Sequence, residues 1–283
     1  MIPKYSIIIP TKNRAYSLWR AISSIKQQEY NNWELLVVDG NSTDDTEKLV
    51  NGFEDSRIHF ITNINDTGVA SARNKGISIS RGKYIAYLDS DDYVMNNWLT
   101  EMDKHISSNV DKVLFMPNKK YTIKLVDNKN ETTKTLHQGE LFEDVKFSPE
   151  NIINLQIQCD TNGMIHSKTA LKKVGKWNTD LTLYEDFEFL LRFVEHYSNK
   201  IVFVPKVLVA YTRTYGKDSL CSKANYSMLV DNLNKVYKLH GKKSFLKAQT
   251  WYPQLRDKYQ EMAQKEDETG YSITDRLIEK YNQ

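Results

Sequence analysis

Three carboxylates, those of Asp89, Asp91 and Asp92, directly follow the apolar run Tyr84-Ile85-Ala86-Tyr87-Leu88. Carboxylates this close repel one another and raise their pKa values unless a cation lies among them. Mg²⁺ and Mn²⁺ prefer oxygen ligands, and they commonly combine one or two carboxylates with substrate phosphates and water. The pattern therefore predicts either a divalent-cation site that receives a diphosphate or a solvated acidic turn, and the three residues alone do not decide.

A second acidic pair, Glu185 and Asp186, begins a segment whose apolar residues continue to Tyr197 with helical spacing. Acidic side chains in a first helical turn are stabilised by the helix dipole, so both residues fit a capping role. The alternative is that one carboxylate is a general base which the start of the helix directs into a cleft.

Alternating strand and helix patterns predict the elements that position these residues. Ser6 to Ile9 and Glu34 to Val38 are short apolar runs typical of strands covered on both faces. A helix with one apolar face is predicted between them from the spacing of Leu18, Ile22 and Ile25. The alternation of helix and strand continues along the chain. Ser42 and Asp45 predict a capping box at the start of a second helix, and a strand is predicted over Ile58 to Ile61. A third helix is predicted over Gly68 to Ser80, with one apolar stripe formed by Val69, Ala72, Gly76 and Ile79, and a further strand over Tyr84 to Leu88. The first half is therefore predicted to be a doubly wound α/β layer.

Polar residues follow each predicted strand, at the edge where open α/β sheets bind ligands. They are Pro10 to Arg14, Asp39 to Ser42, Asn65 to Gly68 and Asp89 to Asp92. Asp39 fits either turn chemistry or an acceptor for a nucleobase or ribose. Arg73 fits either an exposed helical arginine or a cation that meets an anionic ligand.

The pattern changes after about residue 110. Val113 to Met116, Tyr121 to Val126 and Thr132 to Leu136 predict a mixed or antiparallel extension with a turn near Asp127 to Asn130. Helices are predicted near Pro149 to Leu155, Ser167 to Val174 and Glu185 to Tyr197, and strands over Ile201 to Val204 and Val207 to Tyr211. We predict one domain over residues 1–222, whose pattern divides it into residues 1–110 and 111–222, followed by a C-terminal helical appendage (223–283).

Composition narrows the classes of function. The 39 basic and 36 acidic residues give a net charge of +3, which argues against a dedicated nucleic-acid binder. The two cysteines, Cys159 and Cys221, form no Cys-x-x-Cys pair, which fits a reducing cytoplasm. No targeting segment and no apolar run of membrane-spanning length is present, so a cytoplasmic location, or a peripheral one on the inner face of the cell membrane, is expected. The histidines, including His59, His105 and His166, have no metal-ligand spacing, and no Rossmann fingerprint, P-loop, H-E-x-x-H or G-x-S-x-G motif occurs.

The order of the motifs resembles the family 2 glycosyltransferases of GT-A fold. The resemblance covers about residues 5 to 220 and rests on Ser6 to Arg14, Glu34 to Asp44, Gly68 to Gly76, Gly82 to Asp92, and Glu185-Asp186 followed by Leu191-Arg192. It implies a Rossmann-like, mostly parallel central sheet flanked by helices, with a mixed acceptor-side extension and C-terminal helices. It also implies that residues 1–222 are a GT-A catalytic domain, with a nucleotide-binding half (1–110) and an acceptor-binding half (111–222).

The resemblance also implies roles for individual residues. The nucleotide-sugar, most often a uridine one, would be bound by Pro10, Thr11, Arg14, Asp39, Arg73, Asp89 and Ser90. Asp91, with Asp89 or its water shell, would ligate Mn²⁺ or Mg²⁺, and Asp186 would be the general base. Glu185 would bind the acceptor or cap the helix. Trp177 would line the sugar pocket or pack in the core. Trp98 is expected to pack in the core. Tyr215 stands where relatives carry a histidine near the metal, so Arg213 or Lys217 is expected to hold the diphosphate instead.

The implied activity is inverting transfer of a hexose or N-acetylhexosamine from a UDP-sugar to a hydroxyl of a glycan or lipid-linked glycan, in bacterial surface polysaccharide synthesis. A nucleotidyltransferase is the alternative enzyme, but its triphosphate loop is glycine-rich and Pro10 to Arg14 contains no glycine. A non-catalytic nucleotide-sugar-binding subunit is the alternative from another class. The basic, aromatic segment from Lys242 to Lys258 predicts either contact with an anionic membrane or a solvated or dimer-forming helix.

Overall fold

Nine strands form one mixed sheet in the computed structural model, which describes residues 2–127, 132–140, 152, 160–215, 224–241, 243 and 251–282. The strands are β1 (Tyr5–Thr11), β2 (Trp33–Asp39), β3 (Ile58–Thr62), β4 (Tyr84–Tyr87), β5 (Tyr93–Val94), β6 (Leu114–Asp127), β7 (Thr132–Glu140), β8 (Ile165–Ser167) and β9 (Ile201–Tyr215). The helices are α1 (Ala15–Lys26), α2 (Thr46–Asn51), α3 (Val69–Ile79), α4 (Trp98–Ser108), α5 (Leu171–Val174), α6 (Glu185–Tyr197), α7 (Tyr226–His240), α8 (Trp251–Thr269) and α9 (Ile273–Asn282). Short 3-10 turns occupy Lys168–Ala170 and Ser198–Lys200.

The strand order is β3-β2-β1-β4-β8-β6-β9-β5, with β7 paired to β6. Strands β3, β2, β1 and β4 are parallel neighbours, which confirms the predicted doubly wound layer. Strand β8 is antiparallel to both β4 and β6, and β7 and β5 are antiparallel to their partners, which confirms the mixed extension. Strand β8 reverses between β4 and β6, and β6 is parallel to β9. Six strands therefore run in the same direction: β1, β2, β3, β4, β6 and β9.

Alternating side chains of the sheet contribute to a core on each face, as strand geometry requires. Ile7 and Ile9 face one core, where Leu18, Ile22 and Ile25 of α1 and residues of α4 pack. Ile8 faces the other core, with residues of α3 and α6. Continuous apolar strands are thus covered on both faces, and only their ends offer polar groups to a ligand.

Helix α3 lies unusually close to β1 because Gly76 has no side chain. A Cβ added at Gly76 would come within 2.7 Å of the Ile8 side chain. The close approach sets the depth of Arg73, one turn earlier on the same helix.

Several local predictions were wrong. The capping box at Ser42 and Asp45 does not form: α2 begins after Asp45, whose side chain makes no capping hydrogen bond. Asp44 instead accepts from the Thr46 N–H at 3.1 Å and from the Thr46 hydroxyl, while Ser42 bonds Asp39. The predicted stripe on α3 is also shifted, because its buried residues are Ala70, Ala72, Arg73, Gly76 and Ile77, whereas Ile79 is exposed.

Elements in the second half differ more in their bounds than in type. The two strands predicted on either side of Pro205 are one strand, β9, whose register against β6 shifts at Pro205. A proline has no N–H for a ladder and is tolerated at such an irregularity. The predicted helix over Ser167 to Val174 is a 3-10 turn followed by the short α5. Most of the helix predicted over Pro149 to Leu155, together with Cys159 and Cys221, lies outside the described residues.

Candidate functional site

The carboxyl ends of the parallel strands bring together the polar residues that the sequence places after them. Thr11 ends β1 and pairs in register with Asp39, which ends β2 and pairs with Thr62 of β3. The turn that carries Asp89 and Asp91 follows β4, directly beside β1. The predicted ligand edge is therefore a continuous polar rim.

Arg73 joins the two acidic groups of this rim. Its Nη2 donates to Asp89 Oδ1 and its Nη1 to Glu185 Oε1, each at 3.0 Å. The arginine is only 3% exposed, and its guanidinium lies 4.5 Å from the ring centroid of Trp177. Burial opposes its charge, but Asp89, Glu185 and Asp186 together raise the pKa of Arg73. The guanidinium is thus a fixed positive centre that ties α6 to the β4 turn.

Asn162, which sequence reasoning missed, fixes Asp89 from the other side. Its Nδ2 donates to Asp89 Oδ2 at 3.0 Å, and its Oδ1 accepts from the Asp89 backbone N–H at 2.6 Å. Asn162 precedes β8, and the amino end of this antiparallel strand lies at the carboxyl edge of β4. The polar run Asp160-Thr161-Asn162 before an apolar strand is a signal of the same kind as the four strand ends.

Asp91 and Asp92 have different environments. Arg14 Nη1 donates to Asp91 Oδ2 at 3.0 Å, and the Asp91 side chain stays 35% exposed. Burial and the charge of Asp89 raise the pKa of Asp91, while Arg14 opposes the rise. Asp92 is buried and accepts from the Thr212 N–H of β9 at 2.6 Å. Asp92 therefore links the turn to the sheet, and Asp91 is the carboxylate that faces solvent.

Asp186 lies at the start of α6, where the chain makes an unusual turn. Tyr184, immediately before the helix, has left-handed backbone angles (φ 60°, ψ 15°), which are rare for a bulky residue. Asp186 is half-buried, and Oδ1 accepts from the Phe187 N–H at 2.7 Å. Burial and the charge of Glu185 raise the pKa of Asp186 to about 8, against the opposing effects of Phe187 and Arg73. The carboxylate is a stronger base than an exposed aspartate.

The donor set at Asp89 and Asp91 fits a hard divalent cation that a ligand helps to bind. Within the described residues no three acidic, histidine or cysteine side chains form a metal site by themselves. Mg²⁺ and Mn²⁺ sites in phosphate chemistry need fewer, because the phosphates and water complete the coordination. Burial raises the pKa of Asp91 most and the charge of Asp89 adds to the rise; a bound cation would stabilise the ionised carboxylate against both.

The residues predicted to meet the base have turn contacts of their own. Both oxygens of Asp39 accept hydrogen bonds from Ser42, at 2.9 Å from its N–H and at 2.5 Å from its hydroxyl. The buried Thr11 hydroxyl makes no hydrogen bond among the described residues. Pro10 lies beside Val38 in the sheet, and Ser90 is buried between the two aspartates. Thr11 is thus a hydroxyl at the rim that has no hydrogen-bond partner in the part of the chain that the structure describes.

The sequence left two roles for Trp177, and the structure places it in the core. It is 2% exposed, stacks on Phe189 with ring centroids 4.0 Å apart, and donates from Nε1 to the Tyr87 hydroxyl at 3.2 Å. Trp98 is buried as expected. Tyr215 is buried at the end of β9, and Arg213 Nε donates to the Tyr211 hydroxyl at 3.1 Å. Lys217 lies outside the described residues.

The family model for glycosyl transferase family 2 matches residues 6–172, more than half of the chain. The chain belongs to glycosyl transferase family 2. This matched range includes Asp89 and Asp91 but ends before Asp186.

Curated relatives of this family 2 glycosyltransferase are bacterial glycosyltransferases. An Escherichia coli UDP-Glc:alpha-D-GlcNAc-diphosphoundecaprenol beta-1,3-glucosyltransferase, WfgD, is 41% identical over 106 residues, which are 37% of this chain and 42% of that protein. A Campylobacter jejuni GalNAc(5)-diNAcBac-PP-undecaprenol beta-1,3-glucosyltransferase is 36% identical over 104 residues, 36% of this chain and 34% of that protein. The matched region spans less than half the length of these relatives.

Solved structures confirm the GT-A fold. S. aureus TarS 1-349 in complex with UDP-GlcNAc superposes with a TM-score of 0.67 and 18% identity, covering 91% of this chain and 71% of that one. The mannosyltransferase PcManGT from Pyrobaculum calidifontis, in complex with GDP-Man and Mn²⁺, gives a TM-score of 0.64 and 16% identity, covering 98% and 79%.

In this family 2 glycosyltransferase, the predicted basic segment from Lys242 to Lys258 is described only in part. Lys243 bonds Glu195 at 2.5 Å, and Tyr252 is buried against Tyr237. These two residues are used inside the molecule; Lys242, Phe245, Leu246 and Lys247 lie outside the described residues. Among the described helices, none combines the length and the apolarity that crossing a membrane requires.

Proposed function

We propose that the protein transfers a hexose or N-acetylhexosamine from a UDP-sugar to a hydroxyl of a lipid-linked glycan, with inversion at the anomeric carbon. The observation that carries the proposal is the bridge through Arg73, which joins Asp89 to Glu185 at 3.0 Å on each side. One ionic network thereby holds both Asp89, in the turn proposed to bind the donor, and Glu185, which is next to the proposed base Asp186.

In this proposal the donor lies across the carboxyl ends of β1 and β2. The Thr11 hydroxyl there has no hydrogen-bond partner among the residues that the structure describes. Asp39 keeps lone pairs beyond those that accept from Ser42. Pro10 contributes backbone, and Arg14 and Ser90 flank the diphosphate. Arg73 acts on the donor through Asp89, because it is buried and both its Nη atoms are engaged.

Asp91, with Asp89 behind it, would hold Mn²⁺ or Mg²⁺, which when bound would balance charge on the departing diphosphate. The carboxylate of Asp91, which is partly open to solvent, supports this role. Arg14, now paired with Asp91, is close enough to share the same anionic ligand.

Asp186 accepts the proton of the acceptor hydroxyl in the proposed mechanism. The oxygen attacks the anomeric carbon from the face opposite the diphosphate, the bond from that carbon to the diphosphate oxygen breaks, and UDP leaves. One displacement inverts the configuration. The raised pKa of Asp186 supports the assignment, because a general base works best when its pKa lies near the working pH.

The names of the two relatives described above support a lipid-linked acceptor and a role in surface polysaccharide synthesis. Both names include an undecaprenol-linked substrate. We therefore place the reaction at the inner face of the cell membrane. Acceptor-side contacts would come from the half of the chain after residue 110, including Glu185.

The test is a turnover assay with Mn²⁺, an undecaprenyl-diphosphate-linked sugar and a panel of UDP-hexoses and UDP-N-acetylhexosamines. GDP-mannose serves as the nucleotide control. We expect UDP release with one of the uridine donors, and a product whose NMR coupling shows inversion. Retention of configuration, or turnover with GDP-mannose in place of every UDP-sugar, would overturn the proposal.

A further inference from the structure

The segment before Asp186 is held by the C-terminal helix α7. Asn232, at the centre of α7, is 3% exposed. Its Oδ1 accepts from the Thr182 N–H at 3.0 Å and from the Leu183 N–H at 3.3 Å. Its Nδ2 donates to the Thr182 hydroxyl at 3.2 Å and to the Met228 carbonyl at 2.9 Å. One buried amide therefore satisfies two consecutive backbone donors of the segment.

Further contacts from the C-terminal helices surround the same segment. Lys235 of α7 donates to the Asp180 carbonyl at 3.0 Å. The Tyr259 hydroxyl of α8 lies 3.5 Å from the Tyr184 hydroxyl. On the far side, His240 bonds the buried Glu188 of α6 at 2.8 Å.

The backbone at Tyr184 shows why this segment needs external support. A bulky residue in the left-handed region is strained, and such a conformation persists only where the surroundings impose it. Tyr184 is the last residue before Glu185 and Asp186, so its angles set the direction in which α6 starts. Relaxation of Tyr184 toward an ordinary conformation would redirect both carboxylates.

We propose that Asn232 is a positioning residue for Asp186. It fixes Thr182 and Leu183, and thereby the left-handed turn at Tyr184 that aims the carboxylate. The inference rests on the proposed function, in which Asp186 is the base. It makes helix α7 part of the catalytic unit, although the sequence predicts an appendage from residue 223 onward.

The decisive property of Asn232 is its carbonyl oxygen. Leucine has a similar size but no acceptor, so Asn232→Leu would leave two backbone N–H groups unpaired. Aspartate keeps an acceptor in the same position, so Asn232→Asp is the conservative variant. Asn234 lies two residues further on α7 and accepts a hydrogen bond from Tyr252 of α8. Asn234→Ala is the matched control, because it loosens α7 from α8 without touching the segment.

The experiment measures kcat, donor KM, UDP affinity and amide hydrogen exchange for the full chain and the three variants. For Asn232→Leu we expect kcat to fall about 10–100-fold, as for a misplaced catalytic group. Donor KM and UDP affinity should change much less than kcat, because Arg73 and Asn162 still hold Asp89 when Glu185 moves. Exchange should accelerate only over residues 182–186. Asn232→Asp should recover most of the rate, and Asn234→Ala should match the wild type.

Three results would overturn the inference. One is an unchanged kcat in Asn232→Leu. Another is a parallel loss of kcat and UDP affinity with faster exchange throughout the chain, since that would describe general destabilisation. The third is fast exchange of the Thr182 and Leu183 amides in the wild type, a measurement that needs no variant to fold. If the wild type transfers no sugar, the proposed function fails, whereas local protection by Asn232 is still decided by exchange.

Discussion

Asp186 owes its basicity to its surroundings. Burial and the neighbouring charge of Glu185 raise its pKa to about 8, while the Phe187 N–H and Arg73 limit the rise. Glu185 forms an ion pair with Arg73. The Arg73 guanidinium therefore offsets part of the repulsion between the Glu185 and Asp186 carboxylates. The Asp186 carboxylate is thus buried enough for its pKa to rise, and it is still partly open to solvent.

The pH dependence of transfer follows from this pKa. Asp186 must be ionised to accept a proton, so kcat/KM should rise with pH and level off above about pH 8. Glu185→Gln removes the negative charge that raises the pKa of Asp186, so the acid limb should move to lower pH. A pH–rate profile of the two proteins tests this. A limb that stays in place, or that moves to higher pH, contradicts the assignment.

Removal of the base should separate chemistry from binding. We expect Asp186→Asn to lower kcat by about 10²–10⁴-fold with little change in UDP affinity. Asp180→Asn is the matched control, because Asp180 is an exposed carboxylate in the same segment. Equal activity of Asp186→Asn and the control would exclude Asp186 as the base.

Residues differ in how far the sequence reveals them. Asp89, Asp91 and Asp186 are predictable because each belongs to a local acidic pattern next to an element boundary. The bridge of Arg73 to Glu185 is not, because it joins positions 112 residues apart. Asn162 belongs to a polar run before β8, whereas Asn232 carries no local pattern. Only the packing of β8 and α7 gives the two asparagines their partners.

At the scale of elements, the approach of α3 to β1 sets the position of Arg73. In Gly76→Ala the new methyl group would lie 2.7 Å from Ile8, so α3 must move away from the sheet. We expect a loss of about 1–3 kcal/mol in the free energy of unfolding and a lower kcat, measured by denaturant titration and turnover. Gly52→Ala is the control, since its Cβ would be 3.4 Å from the nearest atoms at the end of α2. Equal stability of the two variants would contradict the tight α3–β1 contact.

Strand β2 is tied to the turn before β4 by Glu34. This buried carboxylate accepts from the Ser6 hydroxyl at 2.6 Å and from the Arg81 N–H and Nε at 2.7 Å each. Burial alone would raise its pKa, but these hydrogen bonds lower the pKa of Glu34 overall.

Stability at low pH should therefore depend on Glu34. A carboxyl whose pKa is lowered by folding stabilises the protein above its unfolded pKa of about 4.3, and the contribution is lost as pH falls through the folded pKa. Glu34→Gln should cost about 2 kcal/mol at pH 7, and the difference from wild type should shrink below about pH 4. Urea unfolding at several pH values tests this, with the exposed Glu47→Gln as control. A difference that does not depend on pH would contradict the role of the charge.

Elements with strong periodicity were predictable, and those set by tertiary contacts were not. The apolar spacing of Leu18, Ile22 and Ile25 predicts α1, because burial of one face decides that helix. The predicted start of α2 is wrong because the Ser42 hydroxyl donates a hydrogen bond to Asp39 at the rim and does not cap the helix. Strand β9 continues past Pro205 because it pairs with β6 on both sides of the proline. Local propensity cannot predict such a pairing between distant segments.

At the scale of the whole molecule, the two acidic groups come from different halves of the chain. Asp89 and Asp91 lie after a strand of the parallel layer, and Asp186 starts a helix after the mixed extension. The division into two functional halves at about residue 110 stays a prediction. The C-terminal part is predicted to be a helical appendage because it is polar. Its first helix, α7, buries Leu233 and Val236, and the boundary at residue 223 stays a prediction.

Calorimetric titration of the full chain with UDP, in the presence of Mn²⁺ and again with EDTA, tests the central claim most directly. The account predicts saturable binding that requires the cation. Affinity should weaken at least about tenfold in Asp91→Asn, which removes a carboxylate that would hold the cation, and should persist in Asp186→Asn, which lies outside the cation site. Absence of binding under both conditions, or equal affinity in Asp91→Asn and wild type, would contradict it.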